Sequence, residues 1–142
     1  MKSRAAKLQP AVEQAHDRCE DALGRLAQQQ QLLAAGLNQL EELKRYRIEY
    51  ATPGQGGQSV SALLNRQSFV ERIDRAIVQH ARDLTRLERG LDHAREQWRL
   101  AHARESALSN VVEQHRERER QAEDRHEQAE VDERMQYRKP QR

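Results

Sequence analysis

A breaker stretch from Thr52 to Gln58 (TPGQGGQ) divides two helical hydrophobic seams of unequal length, and this division constrains the fold more than any other feature of the chain. After it, Leu63, Val70, Ile77, Leu84, Leu91 and Trp98 recur at one heptad position. Ile73, His80, Leu87, Ala94, Ala101 and Leu108, and later Ala122 and Ala129, recur at the other. That is the a/d stripe of a coiled coil. Before the breaker a shorter seam runs through Val12, Cys19, Leu26, Leu33 and Leu40, with Ala15, Ala22, Leu43 and Tyr50 at its second position and Leu23 and Leu37 widening it. Gln29 and Gly36 weaken that seam midway. The pattern specifies an all-α fold: a long antiparallel two-helix coiled coil, a helical hairpin with the second helix longer than the first.

Local signals set the expected boundaries. Proline has a fixed φ and no amide proton, both tolerable in a first helical turn, so Pro10 starts the first helix near Gln9 and leaves Met1 to Leu8 extended or frayed. This helix runs to about Tyr50. A turn occupies about Ala51 to Ser59, where Pro53 bars continuation and Gly54, Gly56 and Gly57 allow reversal. Ser59 or Ser61 caps a second helix running from about Val60 to about Gln136, ended by the charged tail with Pro140. Folding about the break sets Pro10 opposite a residue near Leu100, so beyond about Glu105 the second helix overhangs. The whole chain, residues 1–142, reads as a single coiled-coil domain.

Composition agrees with narrow seams rather than a thick core. The chain is 36% hydrophobic and 34% charged, with one Phe and one Trp, so stability has to come from helix-helix contact. Its 25 Lys and Arg are interleaved with 23 Asp and Glu, which gives no concentrated basic field for nucleic acid. No apolar run approaches the roughly 20 residues that span a bilayer, and the polar amino terminus lacks the core of a secretory signal, so a cytoplasmic location is expected. Cys19 sits on the first seam, where a small apolar side chain packs well.

Catalytic chemistry has no footing: there is no Gly-rich phosphate loop after a strand and no strand pattern, so neither enzyme activity nor a cofactor is expected. Glu123 with His126 makes one Glu-x-x-His spacing, but a di-iron bundle needs a second such pair and two further carboxylates, so the pair reads as a solvated helix face and no metal is expected. Two stripes near the break are more telling. Gln39, Leu43, Tyr46 and Tyr50 follow i, i+4, i+7, i+11 spacing on the first helix, and Phe69, Ile73, Ala76 and His80 do so on the second. In a hairpin they flank one another. They read either as core packing, with His80 a seam histidine satisfied locally, or as aromatic anchors for a partner. The Glu-, Arg- and Gln-rich stretch from Glu113 to Arg134 reads either as a helix stabilised by its own charges or as one that docks into another protein.

Leu8-Gln9-Pro10 at the opening of the first helix, the Leu40 to Tyr50 stretch (LEELKRYRIEY) and the Glu127 to Glu133 stretch (EQAEVDE), in this order and around this break, resemble the FliJ family of flagellar type III export. The resemblance covers nearly the whole chain. It implies a non-enzymatic stalk-like coiled coil, peripherally associated with the inner-membrane export apparatus. Such a protein would link a hexameric export ATPase (FliI-like) to the export gate protein (FlhA-like) and assist export chaperones. The family's gate-binding surface maps to Gln39, Leu43, Tyr46, Tyr50, Phe69, Ile73, Ala76 and His80. No residue motif carries over for the ATPase contact, which is expected from the amino-terminal segment and the charged far arm, around Arg4, Lys7, Arg116, Arg118, Arg120 and Arg125. The alternatives are the equivalent stalk of a virulence injectisome, a dimerisation coiled coil whose second seam pairs between chains, and an arginine-rich nucleic-acid binder, which nine acidic residues between Glu113 and Glu133 oppose.

Overall fold

A computed structural model describes residues 3–52 and 56–137. Pro53, Gly54 and Pro140, read above as breakers, lie outside them. The described residues form two helices, α1 (Arg4–Ala51) and α2 (Val60–Tyr137), in antiparallel contact with the second the longer. The chain divides into two units: a terminal unit, Met1–Asp21 with Arg99–Arg142, and a turn unit, Ala22–Trp98.

In the terminal unit α1 begins earlier than Pro10 suggests. Ser3 is the cap: its hydroxyl accepts the Ala6 amide at 3.0 Å and its carbonyl accepts the Lys7 amide at 3.0 Å. A second free amide of that first turn, on Ala5, makes a long 3.5 Å contact to Glu119 Oε1 of α2, where a carboxylate also suits the positive end of the helix. Pro10 therefore lies inside α1, at the loss of one backbone donor, and of the expected extended lead-in Arg4 to Leu8 is helix, while Met1 and Lys2 lie outside the described residues. Ala5, Ala15, Cys19 and Val112 are buried in this unit.

The pairing also runs further along α2 than expected. Gln9 accepts from Arg116 Nη2 at 3.2 Å, so Pro10 stands well beyond Leu100 and the overhang begins past Glu119 rather than near Glu105. Every described residue from Arg120 to Tyr137 is exposed, including Ala122 and Ala129, which keep the heptad spacing with nothing to pack on.

The reason for the shift lies in the turn unit. Reversal does not centre on the breaker: α1 ends beside Phe69, with Tyr50 and Phe69 in ring contact, so the first turns of α2 project past the end of α1. Val60, Leu63 and Leu64 are exposed there. Ser59 caps α2 through its hydroxyl to the Ala62 amide at 3.2 Å, Gly56 takes a φ of +110° that other residues rarely adopt, and Arg66 donates to the Thr52 carbonyl at 2.9 Å.

Ile73, Leu84, Leu91 and Ala94 form the buried seam of the turn unit on α2, while Leu23 and Leu37 face solvent and do not widen it. The two weak points of the α1 seam are met by complementary shapes. A Cβ on Gly36 would lie 2.7 Å from Leu84 Cδ2, so the missing side chain is what admits Leu84. A Cβ on Gly90 would lie 2.9 Å from Gln29 Oε1, so a glycine on α2 makes room for the polar residue on α1. Arg47, at a seam position, is answered by a two-point ion pair with Asp74.

Candidate functional site

The two stripes of the turn unit do flank one another, but their residues divide into seam and surface. Ile73 is 6% exposed and is core. Leu43 and His80 are half-buried, and His80 Nε2 donates to the Gly36 carbonyl at 2.7 Å. That carbonyl can only accept, so the ring carries its proton on Nε2 and the histidine is satisfied inside the seam. Gln39, Tyr46, Tyr50, Phe69 and Ala76 are exposed.

The exposed part is an organised aromatic surface. Tyr50 and Phe69 meet edge to face with ring centroids 4.6 Å apart, although each leaves about two-fifths of its area in water (41% and 38%). Arg72 places its guanidinium carbon 5.7 Å from the Phe69 centroid, and Asn65 and Arg66 complete a shallow hollow around the two rings. Tyr46 lies one turn back on α1, 51% exposed, in a second hollow with Glu42, Arg45, Ile48 and Glu49. Ile48 was not singled out by the sequence, because it falls off the heptad stripe; its 66% exposure beside Tyr46 adds an aliphatic contact to the surface.

In the terminal unit the charged candidates are all exposed, but not equally available. Arg116 is engaged with Gln9, and Arg120 is held by Glu113 at 3.3 Å and Glu117 at 2.6 Å on its own helix. Arg4, Lys7, Arg118 and Arg125 make no side-chain ion pair among the described residues. His126 pairs with Glu130 at 3.2 Å rather than completing a site with Glu123.

The same unit holds a cluster that spacing on either helix alone did not reveal. His16 and Cys19 on α1 face His102 and Glu105 on α2, each pair three residues apart. His16 Nδ1 lies 2.7 Å from Glu105 Oε1, and Cys19 Sγ lies 3.9 Å from His102 Nδ1. The Cys19 sulfur, a His102 ring nitrogen and a Glu105 oxygen all fall within 4.8 Å of one another. The register that moved the overhang is what brings them together, and the sequence signal was the matched i, i+3 spacing on the two helices.

The cluster sets its own titration. Glu105 accepts the His16 ring proton and so raises His16 above its ordinary 6.5, while His16 first and Cys19 second hold Glu105 below its ordinary 4.5. Burial, then Glu105, pushes the Cys19 thiol up. A raised histidine stabilises the fold below about pH 6.5 and loses that effect as pH rises through its folded value. A lowered glutamate stabilises it above about pH 4.5 and loses that effect as pH falls through its folded value. Both contribute between those values. With a chelator present, thermal stability should fall from about pH 6 to about pH 8 by more in the native chain than in His16→Gln. Equal slopes in the two proteins would remove the pair as the cause.

Among the described residues no helix is long and apolar enough to cross a membrane. No curated protein matches the chain. A family model described as "Flagellar FliJ protein" matches residues 3–142, essentially the whole chain. The chain therefore belongs to the flagellar FliJ family, a family of non-catalytic proteins with a role in flagellar export.

Proposed function

We propose that the chain is a non-enzymatic, stalk-like coiled coil of type III flagellar export, linking the export ATPase ring to the export gate at the membrane and assisting export chaperones. The observation that carries this reading is the Tyr50–Phe69 pair: two rings fixed against each other yet left in water, beside exposed Tyr46 and Ile48. An aromatic cluster that is ordered before binding loses little entropy on docking, and such residues supply most of the energy at protein interfaces. This surface, with Gln39 and Ala76 at its edges, is the gate contact. Ile73 and His80 support it from the seam, Ile73 by packing beneath it and His80 by holding the Gly36 carbonyl.

The ATPase contact lies in the terminal unit. Arg118 and Arg125 on α2, with Arg4 and Lys7 on α1, are the available cations, and the exposed helix past Glu119 offers length without a partner in the described chain. Exposed ion pairs contribute about 0.2–1 kcal/mol each, so contacts of this kind bind a ring of repeated subunits weakly and in many equivalent ways. The intrachain pairing of the two seams argues against dimerisation through the second seam, and the family match favours the flagellar over the injectisome reading.

Purified chain should bind the ATPase and the cytoplasmic part of the gate protein separately, and then both at once in one complex by size-exclusion chromatography with light scattering. Mutually exclusive binding would refute a linking role.

A further inference from the structure

The geometry points to a divalent transition-metal site in the terminal unit, with Cys19 of α1 and His102 and Glu105 of α2 as its protein ligands and zinc as the metal that best suits them. The donor atoms are already close to the spacing a metal demands. With Zn–S near 2.3 Å and Zn–N near 2.0–2.1 Å, a tetrahedral sulfur-to-nitrogen edge is about 3.6 Å. Cys19 Sγ and His102 Nδ1 stand 3.9 Å apart, and the Glu105 oxygen lies within 4.8 Å of both. The sulfur–nitrogen pair is within a few tenths of an ångström of that edge, and side-chain rotation of Glu105 brings its oxygen in to close the set.

The donor chemistry selects the ion. A thiolate, an imidazole and a carboxylate suit zinc and its first-row neighbours, whereas magnesium and calcium take oxygen donors. Three protein ligands leave a fourth position for water. His16 acts as a positioning residue: its ring N–H donates to Glu105 Oε1 at 2.7 Å and fixes the carboxylate, the kind of support that ligating side chains usually have. The sulfur is buried while His102 is exposed, so the ion enters from the solvent side and its softest ligand is shielded from water.

The metal would join α1 to α2 by bonds rather than packing. It displaces the Cys19 thiol proton to solvent on binding, and because the unfolded chain holds these residues far apart, it favours the paired helices by mass action.

The test is a Co²⁺ titration of the full-length chain, stripped of metal and kept reduced with a non-thiol reductant. The expected result is saturation at one cobalt per chain, with a thiolate-to-cobalt charge-transfer band, tetrahedral ligand-field bands, displacement by Zn²⁺ and no change in molecular mass. Cys19→Ser should abolish the charge-transfer band. His102→Gln, at an exposed position, should lower affinity by more than the roughly 10- to 100-fold that loss of a supporting partner costs. His16→Gln should fall in that range while keeping the band for each cobalt bound, and His126→Gln should bind as the native chain does. Helix content by circular dichroism checks that the variants fold. The site is overturned if no saturable binding is seen, if binding survives both Cys19→Ser and His102→Gln, or if cobalt doubles the mass by bridging two chains.

Discussion

Ile73→Ala is expected to destabilise the chain by about 2 kcal/mol or more, the low end of the range for removing a buried isoleucine, because a two-helix seam can partly close over the gap. Only 6% of Ile73 is exposed, and it packs where the turn unit is held together, near Phe69 and the Arg47–Asp74 pair. Urea denaturation followed by circular dichroism would report the loss as a lower midpoint. Alanine at Tyr46, on the same pair of stripes but half in water, should change stability by no more than about 0.5 kcal/mol, as exposed positions generally do. The contrast separates two roles that residue spacing alone merges. If Ile73→Ala and Tyr46→Ala shift the midpoint equally, the division into seam and surface fails.

The second large effect concerns binding. Tyr50→Ala and Phe69→Ala should each weaken association with the gate protein by about 2 kcal/mol, roughly 30-fold, the scale of an aromatic hot spot. Each ring rests on the other, so removing one also frees its neighbour to move. The double variant should therefore lose less than the sum of the two single losses. ATPase binding should be unchanged in all three, since no ATPase candidate lies in the turn unit. Calorimetric titration against each partner decides the matter. Loss of both partners together, with a fall in helix content, would return these rings to an ordinary structural role.

Much of this was legible in the chain itself, for identifiable reasons. Heptad spacing runs from Val12 to Tyr50 and from Leu63 onward, so helix number, direction and unequal length followed from apolar period alone. Register did not follow, because period fixes which face of a helix packs but not which residue lies opposite which. The symmetric fold about the breaker placed Pro10 near Leu100; the contact of Tyr50 with Phe69 moves the reversal into the first turns of α2 and carries the pairing on to Glu119. Val112 shows the consequence: it lies on the α2 heptad and is buried, yet the symmetric fold placed it in the overhang. The same shift hid the Cys19, His102 and Glu105 cluster, whose members sit on different helices and meet only in the true register.

The two stripes were legible as a set of positions, but their depth was not. A stripe at i, i+4, i+7, i+11 covers a band of helix surface that includes the edge of the seam, so Ile73 and His80 came with it. Whether such a residue faces the partner helix or solvent depends on what the other helix presents. Gly36 does so for His80, by offering its backbone carbonyl to the ring.

The proposed function requires that the two surfaces, in different units, serve different partners. The most direct measurement places a photo-crosslinking side chain at Tyr46 or Ala76 in the turn unit, and at Arg118 or Arg125 in the terminal unit, in cells assembling flagella. Crosslinks to the gate protein are expected from the first pair and to the ATPase from the second. The same partner captured from all four positions, or the two partners exchanged, would contradict it.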